Sequence, residues 1–164
     1  LHIVTPRKGG QLNELTLGPK DTRVGRALYG TAGGAGEGTI VRVTRSGNVV
    51  VLHQFTGGAD GADPGSGLVN VNGTFYGTTE SGGEYNAGTV YSVTPSGTEN
   101  VIYSFQGGAH DGEYPVSDLV NLNGTLYGTT EVGGSIDHGT VFSITPAGTE
   151  TVLHSFQDDF QKGN

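Results

Sequence analysis

Residues 72–105 read NGTFYGTTESGGEYNAGTVYSVTPSGTENVIYSF, and residues 123–156 read NGTLYGTTEVGGSIDHGTVFSITPAGTETVLHSF. The offset of 51 runs without a gap through Tyr76 and Tyr127, Gly88 and Gly139, Gly97 and Gly148, and Phe105 and Phe156. A fixed period of about 50 residues marks a repeat architecture, in which one supersecondary unit stacks on the next. A degenerate copy, ALYGTAGGAGEGTIVRVTRSGNVVVLHQF, occupies residues 27–55. Gly38 and Phe55 lie 50 residues before Gly88 and Phe105, whereas Tyr29 lies 47 before Tyr76 because the glycine-rich loop at 33–36 is shorter. Ahead of it, residues 2–17 read as a hairpin with a turn at 6–10, similar to the second half of a repeat, and residues 18–25 read as irregular. The organisation is thus a half-repeat hairpin at 1–20, a degenerate repeat at 21–57, repeats at 58–106 and 107–157, and a tail at 158–164. Leu1 is not an initiator Met, so the chain is expected to be processed or to be a piece of something longer.

Within one copy, four strands are expected. Residues 68–72 and 74–79 flank Asn72-Gly73, a pair suited to a type I′ turn with positive φ at both positions. Residues 89–94 and 99–105 flank Pro95-Ser96-Gly97-Thr98, a four-residue hairpin loop. Apolar and polar residues alternate in the last two strands, and no stretch carries a helical apolar stripe. Four short antiparallel strands per period describe a blade of a β-propeller, with a β-trefoil as the rival fold. Aromatics recurring once per copy, Tyr29, Tyr76 and Tyr127 and then Phe55, Phe105 and Phe156, read as core between blades and not as a binding surface.

Composition agrees with an all-β chain. Of 164 residues, 31 are glycine and only 33% are hydrophobic, so the core is thin and distributed among short strands and turns. There is no cysteine, hence no disulfide framework and no thiolate metal site. No apolar run approaches the length of a membrane span. The net charge of −8 is uneven: residues 1–45 carry +4 and residues 46–164 carry −12, with Lys162 the only base in the latter. A repeat region so poor in Lys and Arg cannot neutralise phosphates, which excludes nucleic acid as the expected partner. The acidic surface serves solubility, or docks on the basic front of its own or another chain.

The motif Leu126-Tyr127-Gly128-Thr129-Thr130, Gly133-Gly134, Gly139-Thr140-Val141-Phe142, Gly148, Leu153 and Phe156 resembles the bacterial GloVer tandem repeat of the choice-of-anchor GloVer-containing proteins. The match covers residues 27–156, and the first copy departs from it at Ala32, Arg42 and Arg45. The resemblance implies tandem arrays on secreted or surface-anchored proteins, no enzyme activity and no functional residues to carry over. No anchor segment is visible in this sequence.

Candidate sites are few. Asp60 and Asp63, with Asp111 and Glu113, could offer carboxylates to Ca²⁺, although the EF-hand spacing is absent and Asx turns before Pro64 and Pro115 explain them as well. Glu80 and Glu131 stand at one place before a Gly-Gly pair, with Asp137 nearby. They form a possible acidic rim for a cation or for sugar hydroxyls, or are solvated loop acids. The five histidines lack metal-ligand spacing. His53 and His154 occupy the position of Tyr103, which reads as a semi-exposed strand site. No serine has the context of a nucleophile elbow, and no Gly-Gly pair leads from strand to helix as a phosphate loop does. The sequons at Asn72 and Asn123 are explained as hairpin turns. No cofactor is expected. The reading is a non-enzymatic, extracellular or cell-surface β-propeller scaffold or interaction subunit, completed by a protein partner or a second copy. Its alternative is a lectin-like, carbohydrate-binding module.

Overall fold

Asn-Gly and Gly-Thr turns cut the chain into short strands, and nothing in it favours a helix. The structure, a computed structural model, describes residues 2–6, 12–16, 22–25, 27–33 and 37–157. Every element among them is a β-strand in an antiparallel pair. No helix there is long and apolar enough to cross a membrane. Strands β1 (His2–Pro6) and β2 (Leu12–Thr16) pair as the expected N-terminal hairpin. The first sheet holds β3 (Thr22–Val24), β4 (Ala27–Ala32), β5 (Thr39–Thr44) and β6 (Val49–Gln54). The second holds β7 (Val69–Val71), β8 (Thr74–Thr79), β9 (Thr89–Val93) and β10 (Glu99–Ser104). The third holds β11 (Gly112–Pro115), β12 (Val120–Leu122), β13 (Thr125–Gly133), β14 (Thr140–Ile144) and β15 (Glu150–Ser155). In the first two sheets each strand pairs with its neighbour in sequence. Within the stretch 18–25 that the sequence reads as irregular, Thr22–Val24 instead forms β3, because its backbone finds a ladder along residues 27–29 of β4. Most of the turn expected at 6–10, residues 18–21, the centre of the 33–36 loop and the tail 158–164 fall outside the described residues.

The tight turns follow from backbone chemistry. Asn72 and Gly73 have φ of 53° and 90°, and Asn123 and Gly124 have 53° and 88°. These are the paired positive values that a two-residue hairpin between right-twisted strands requires. The Asn70 and Asn121 side chains accept the Gly73 and Gly124 N–H groups from beneath the turn.

Two further features depart from the sequence reading. The segment 106–117 is not wholly a connecting loop, because β11 extends it along the far end of β13, Gly112 opposite Gly133 and Pro115 opposite Thr130. The second sheet keeps only a remnant of this pairing, a bridge between Ala62 and Ser81. Such a strand shows no alternation of apolar residues because it forms at a glycine, where the Thr130 and Thr140 hydroxyls come too close for any side chain. The second feature is a β-bulge at the same place in the outermost strand of every sheet. Leu52, Ile102 and Leu153 are each skipped by the ladder. A bulge rotates the strand by one residue and re-aims its side chains. Ile102 and Tyr103, adjacent in sequence, therefore both pack against one hydrophobic cluster, together with Phe105.

That cluster joins the second sheet to the third, and an equivalent one joins the first to the second. Phe105 meets Phe142 edge-on with ring centroids 5.1 Å apart, and Phe55 meets Tyr91 in the same way at 5.1 Å. Phe55, Phe105, Tyr91 and Phe142 are all essentially inaccessible. Edge-to-face pairs of this kind add to what area burial alone supplies. The glycine of the Tyr-Gly-Thr motif makes room for the receiving ring. Gly77 lies opposite Tyr91 and Gly128 opposite Phe142, where a Cβ would strike the ring within 3 Å. Behind the rings, the second Thr of the motif pairs with a Thr of the next strand, Thr79 with Thr89 at 2.8 Å and Thr130 with Thr140 at 2.9 Å. In the first sheet Ala32 replaces that Thr, and the Thr39 hydroxyl donates to the Ala32 carbonyl instead.

The hairpin loops also take part in the junctions. Gly97 sits over the bulge of the preceding sheet, where a Cβ would stand 2.7 Å from the Leu52 carbonyl oxygen, and Gly148 sits likewise over the Ile102 carbonyl. Gly47 has the same positive φ with open space around it. Alanine at Gly47 is expected to cost about 1 kcal/mol from backbone strain alone. Alanine at Gly148 adds a clash at the junction and is expected to cost roughly 1–3 kcal/mol more. Equal losses in urea unfolding of the two variants would show that the loop does not bear on the neighbouring sheet.

Candidate functional site

The acidic residues singled out in the sequence divide into two places. Asp60 and Asp111 lie at the junctions and close their loops. Asp60 accepts the Thr56 hydroxyl, the Thr56 N–H at 3.0 Å and His53 Nε2 at 3.2 Å. Asp111 accepts the Tyr103 hydroxyl at 2.8 Å, the Gln106 N–H at 2.8 Å and the Gly112 N–H at 2.7 Å. Burial acts to raise the pKa of Asp60, but the hydrogen bonds from Thr56 and His53 outweigh it and hold the carboxyl below its ordinary value. Position 53/103 is therefore half-buried and bonded to the loop Asp. Glu113 lies half-buried beside Gly107, and the Tyr114 phenol bonds to it. Asp137 is a turn residue with φ of 63°, and its Oδ1 accepts the Gly133 N–H at 2.9 Å, as Asn86 does for Gly82 one period earlier. Among the described residues no three His, Cys, Asp or Glu side chains stand together as a metal-binding group.

The second place is an open groove of about 380 Å³, lined by Asp63, Glu80 and Ser81 of the second repeat and by Tyr114, Glu131 and Val132 of the third. The two triplets are related by the offset of 51, so the groove is built from one set of positions used twice. It brings together Asp63, Glu80 and Glu131, which the sequence places in two unrelated candidate sets. Asp63 and Tyr114 carry φ of 55° and 54° immediately before Pro64 and Pro115, and the Asp63 carboxylate accepts the Ser81 hydroxyl at 3.1 Å. Glu80 and Glu131 are exposed.

Two further carboxyls escaped the sequence reading. Glu99 and Glu150 recur at the offset of 51 in outer strands, where they look like solvent-facing acids. In the fold each faces the loop Asp at the start of its own repeat, Glu99 facing Asp60 and Glu150 facing Asp111. Burial, then the charge of Asp60, pushes the Glu99 pKa up to about 7. Burial, then the charge of Asp111, does the same for Glu150, to about 7. The self-alignment of the sequence was the available signal, since these two acids are shared by both full copies.

The fold and its junctions define an all-β repeat protein. All of it, residues 1–164, matches the profile of the Gloeobacter/Verrucomicrobia repeat, and the chain belongs to that repeat family. No curated protein matches it.

Replacing Asp111 by Ala leaves the Tyr103 hydroxyl and two backbone N–H groups without their acceptor. The expected loss of stability is roughly 2–4 kcal/mol, measured by urea unfolding. A loss below about 0.5 kcal/mol, the range of ordinary surface substitutions, would show that the carboxylate does not organise the loop.

Proposed function

We propose that the chain is a non-enzymatic repeat module of an extracytoplasmic bacterial scaffold, whose sheets are propeller blades and whose third sheet receives a further repeat. The blade reading is favoured over a trefoil because each full copy pairs its strands within its own sheet. The first strands of successive sheets, β7 and β12, also approach one another, as the inner strands of adjoining blades do. The non-enzymatic reading is supported by the use already made of the acids: Asp60, Asp111 and Asp137 are occupied in holding turns. The extracytoplasmic placement rests on the resemblance of the motif to repeats of choice-of-anchor proteins.

The observation that carries the interaction reading is the outer face of the third sheet. The second sheet buries Val71 and Phe105 against the third, at 7% and 0% exposure. Their counterparts 51 residues on, Leu122 and Phe156, are 59% and 42% exposed. Leu153, the bulge residue matching Ile102, is 52% exposed. The ring pair at this face is already set. His154 meets Phe156 edge-on at 5.2 Å, as Tyr103 meets Phe105 at 5.2 Å and His53 meets Phe55 at 4.9 Å. An apolar face that repeats two filled junctions, with its aromatics preorganised, calls for the same occupant. That occupant is a sheet with an aromatic where Tyr91 and Phe142 stand, a glycine at 97 and 148, and a glutamate at 99 and 150. In sedimentation the full chain is expected to associate as its concentration rises, and Phe156→Asp to remain monomeric at matched concentrations. The +4 front and the −12 remainder would add a part that weakens with salt. A wild-type monomer at low and high salt would overturn the view that a second copy supplies the partner.

A second reading is favoured by the groove. Three carboxylates beside a tyrosine ring suit a polyhydroxylated ligand, whose hydroxyls donate to the acids while its apolar face lies on the ring. A glycan array is expected to show binding that Tyr114→Ala abolishes. An array without a hit would remove the lectin-like reading.

A further inference from the structure

The junctions contain a second repeated arrangement besides the aromatic one, and the scaffold reading makes no use of it. In the first junction the Glu99 side chain is only 9% exposed, its Oε2 lies 4.0 Å from His53 Nε2, and the same nitrogen lies 3.2 Å from Asp60 Oδ2. Glu99 Oε1 and the Tyr91 hydroxyl are buried without a hydrogen-bond partner. In the second junction Tyr103 bonds to Asp111 and faces Glu150, whose Oε1 is again buried without a partner. Three elements thus meet twice: an outer strand of one sheet, the loop that follows it, and the outer strand of the next sheet. Each meeting encloses one Asp and one Glu.

A buried carboxylate without a partner is costly, and a second carboxylate nearby makes it costlier. A protonated glutamic acid carries no such penalty. We propose that the sheet-to-sheet junctions are acid-tightened: each Asp–Glu pair is accommodated while the Glu is protonated, and each junction loosens when both carboxyls are ionised.

The groups facing each Glu set the details. Around Glu99 they are His53 from β6, Asp60 from the following loop and Tyr91 from β9. Around Glu150 they are Tyr103 from β10 and Asp111 from the loop, and Phe142 replaces the tyrosine of β9. In the unfolded chain both glutamates return to the ordinary 4.5, while in the folded chain they hold protons to about 7. Between these limits the folded state binds more protons, so the contribution to stability is whole below the lower limit and is lost as pH rises through the upper. Asp60 acts in the opposite sense, because its lowered pKa contributes stability that is lost as pH falls through its folded value.

The test is thermal unfolding of the full chain from pH 5 to pH 8, with Glu150→Gln and Glu99→Gln beside the wild type. Gln has the shape of the protonated acid and cannot ionise. The wild-type melting temperature is expected to fall by about 5 °C or more across this range. Glu150→Gln and Glu99→Gln should each flatten part of that fall, and the double variant should be more stable than the wild type at pH 8. A wild-type slope retained in the double variant would overturn the proposal. Should the variants fail to fold, carbon-detected NMR titration of the wild-type glutamate carboxyls decides independently. Two midpoints near neutrality uphold the proposal, and midpoints in the ordinary glutamate range refute it.

Discussion

The edge-to-face contact of Phe105 with Phe142, and of Phe55 with Tyr91, is the contact on which the arrangement of the sheets depends. A short twisted sheet with apolar residues on both faces cannot bury both of them alone. The second sheet solves that problem by burying one face on the first sheet and the other on the third. The bulge at Leu52, Ile102 and Leu153 makes the contact possible, because it turns two consecutive side chains of the outer strand toward the same neighbour. The glycines serve the same contact: Gly77 and Gly128 clear space beneath the receiving ring, while Gly97 and Gly148 let the next hairpin settle on the bulged backbone. A composition rich in glycine and poor in large apolar residues suffices, since a few aromatics at each junction close the core.

The polar side of each junction is organised by the loop aspartate. Asp60 and Asp111 gather backbone N–H groups and the side chain at position 53 or 103, and so hold the loop that leads into the next sheet. The same carboxylates present a negative charge to Glu99 and Glu150. Loop closure and junction electrostatics are coupled through one residue. The two junctions differ at two of the side chains around the glutamate: His53 gives way to Tyr103, and Tyr91 to Phe142.

Much of this was legible in the sequence, for definite reasons. Paired positive φ at Asn72-Gly73 and Asn123-Gly124 is demanded by a two-residue turn between alternating strands, so strand positions and the all-β class could be read directly. The gapless offset of 51 transferred each assignment from one copy to the other, and the equivalent aromatics proved to be buried between sheets, except for Tyr127, which is half-buried, and Phe156 at the open face. The candidate acids were less legible. Asp63 fell in a different set from Glu80 and Glu131 because their meeting in one groove depends on how two repeats sit side by side. Glu99 and Glu150 drew no assignment because a strand's own pattern does not say which neighbour covers it.

Local backbone chemistry and periodicity therefore determined the strands, the turns and the repeat unit, since these depend on interactions a few residues apart. The tertiary structure alone decided the bulge that re-aims Ile102 and Tyr103, the extra strand at Gly112–Pro115 and the burial of the junction glutamates. It also decided which apolar face stays open. Each of these arises where one sheet meets the next or where a ladder skips a residue, and the cost of burying a group is set by the whole surface around it.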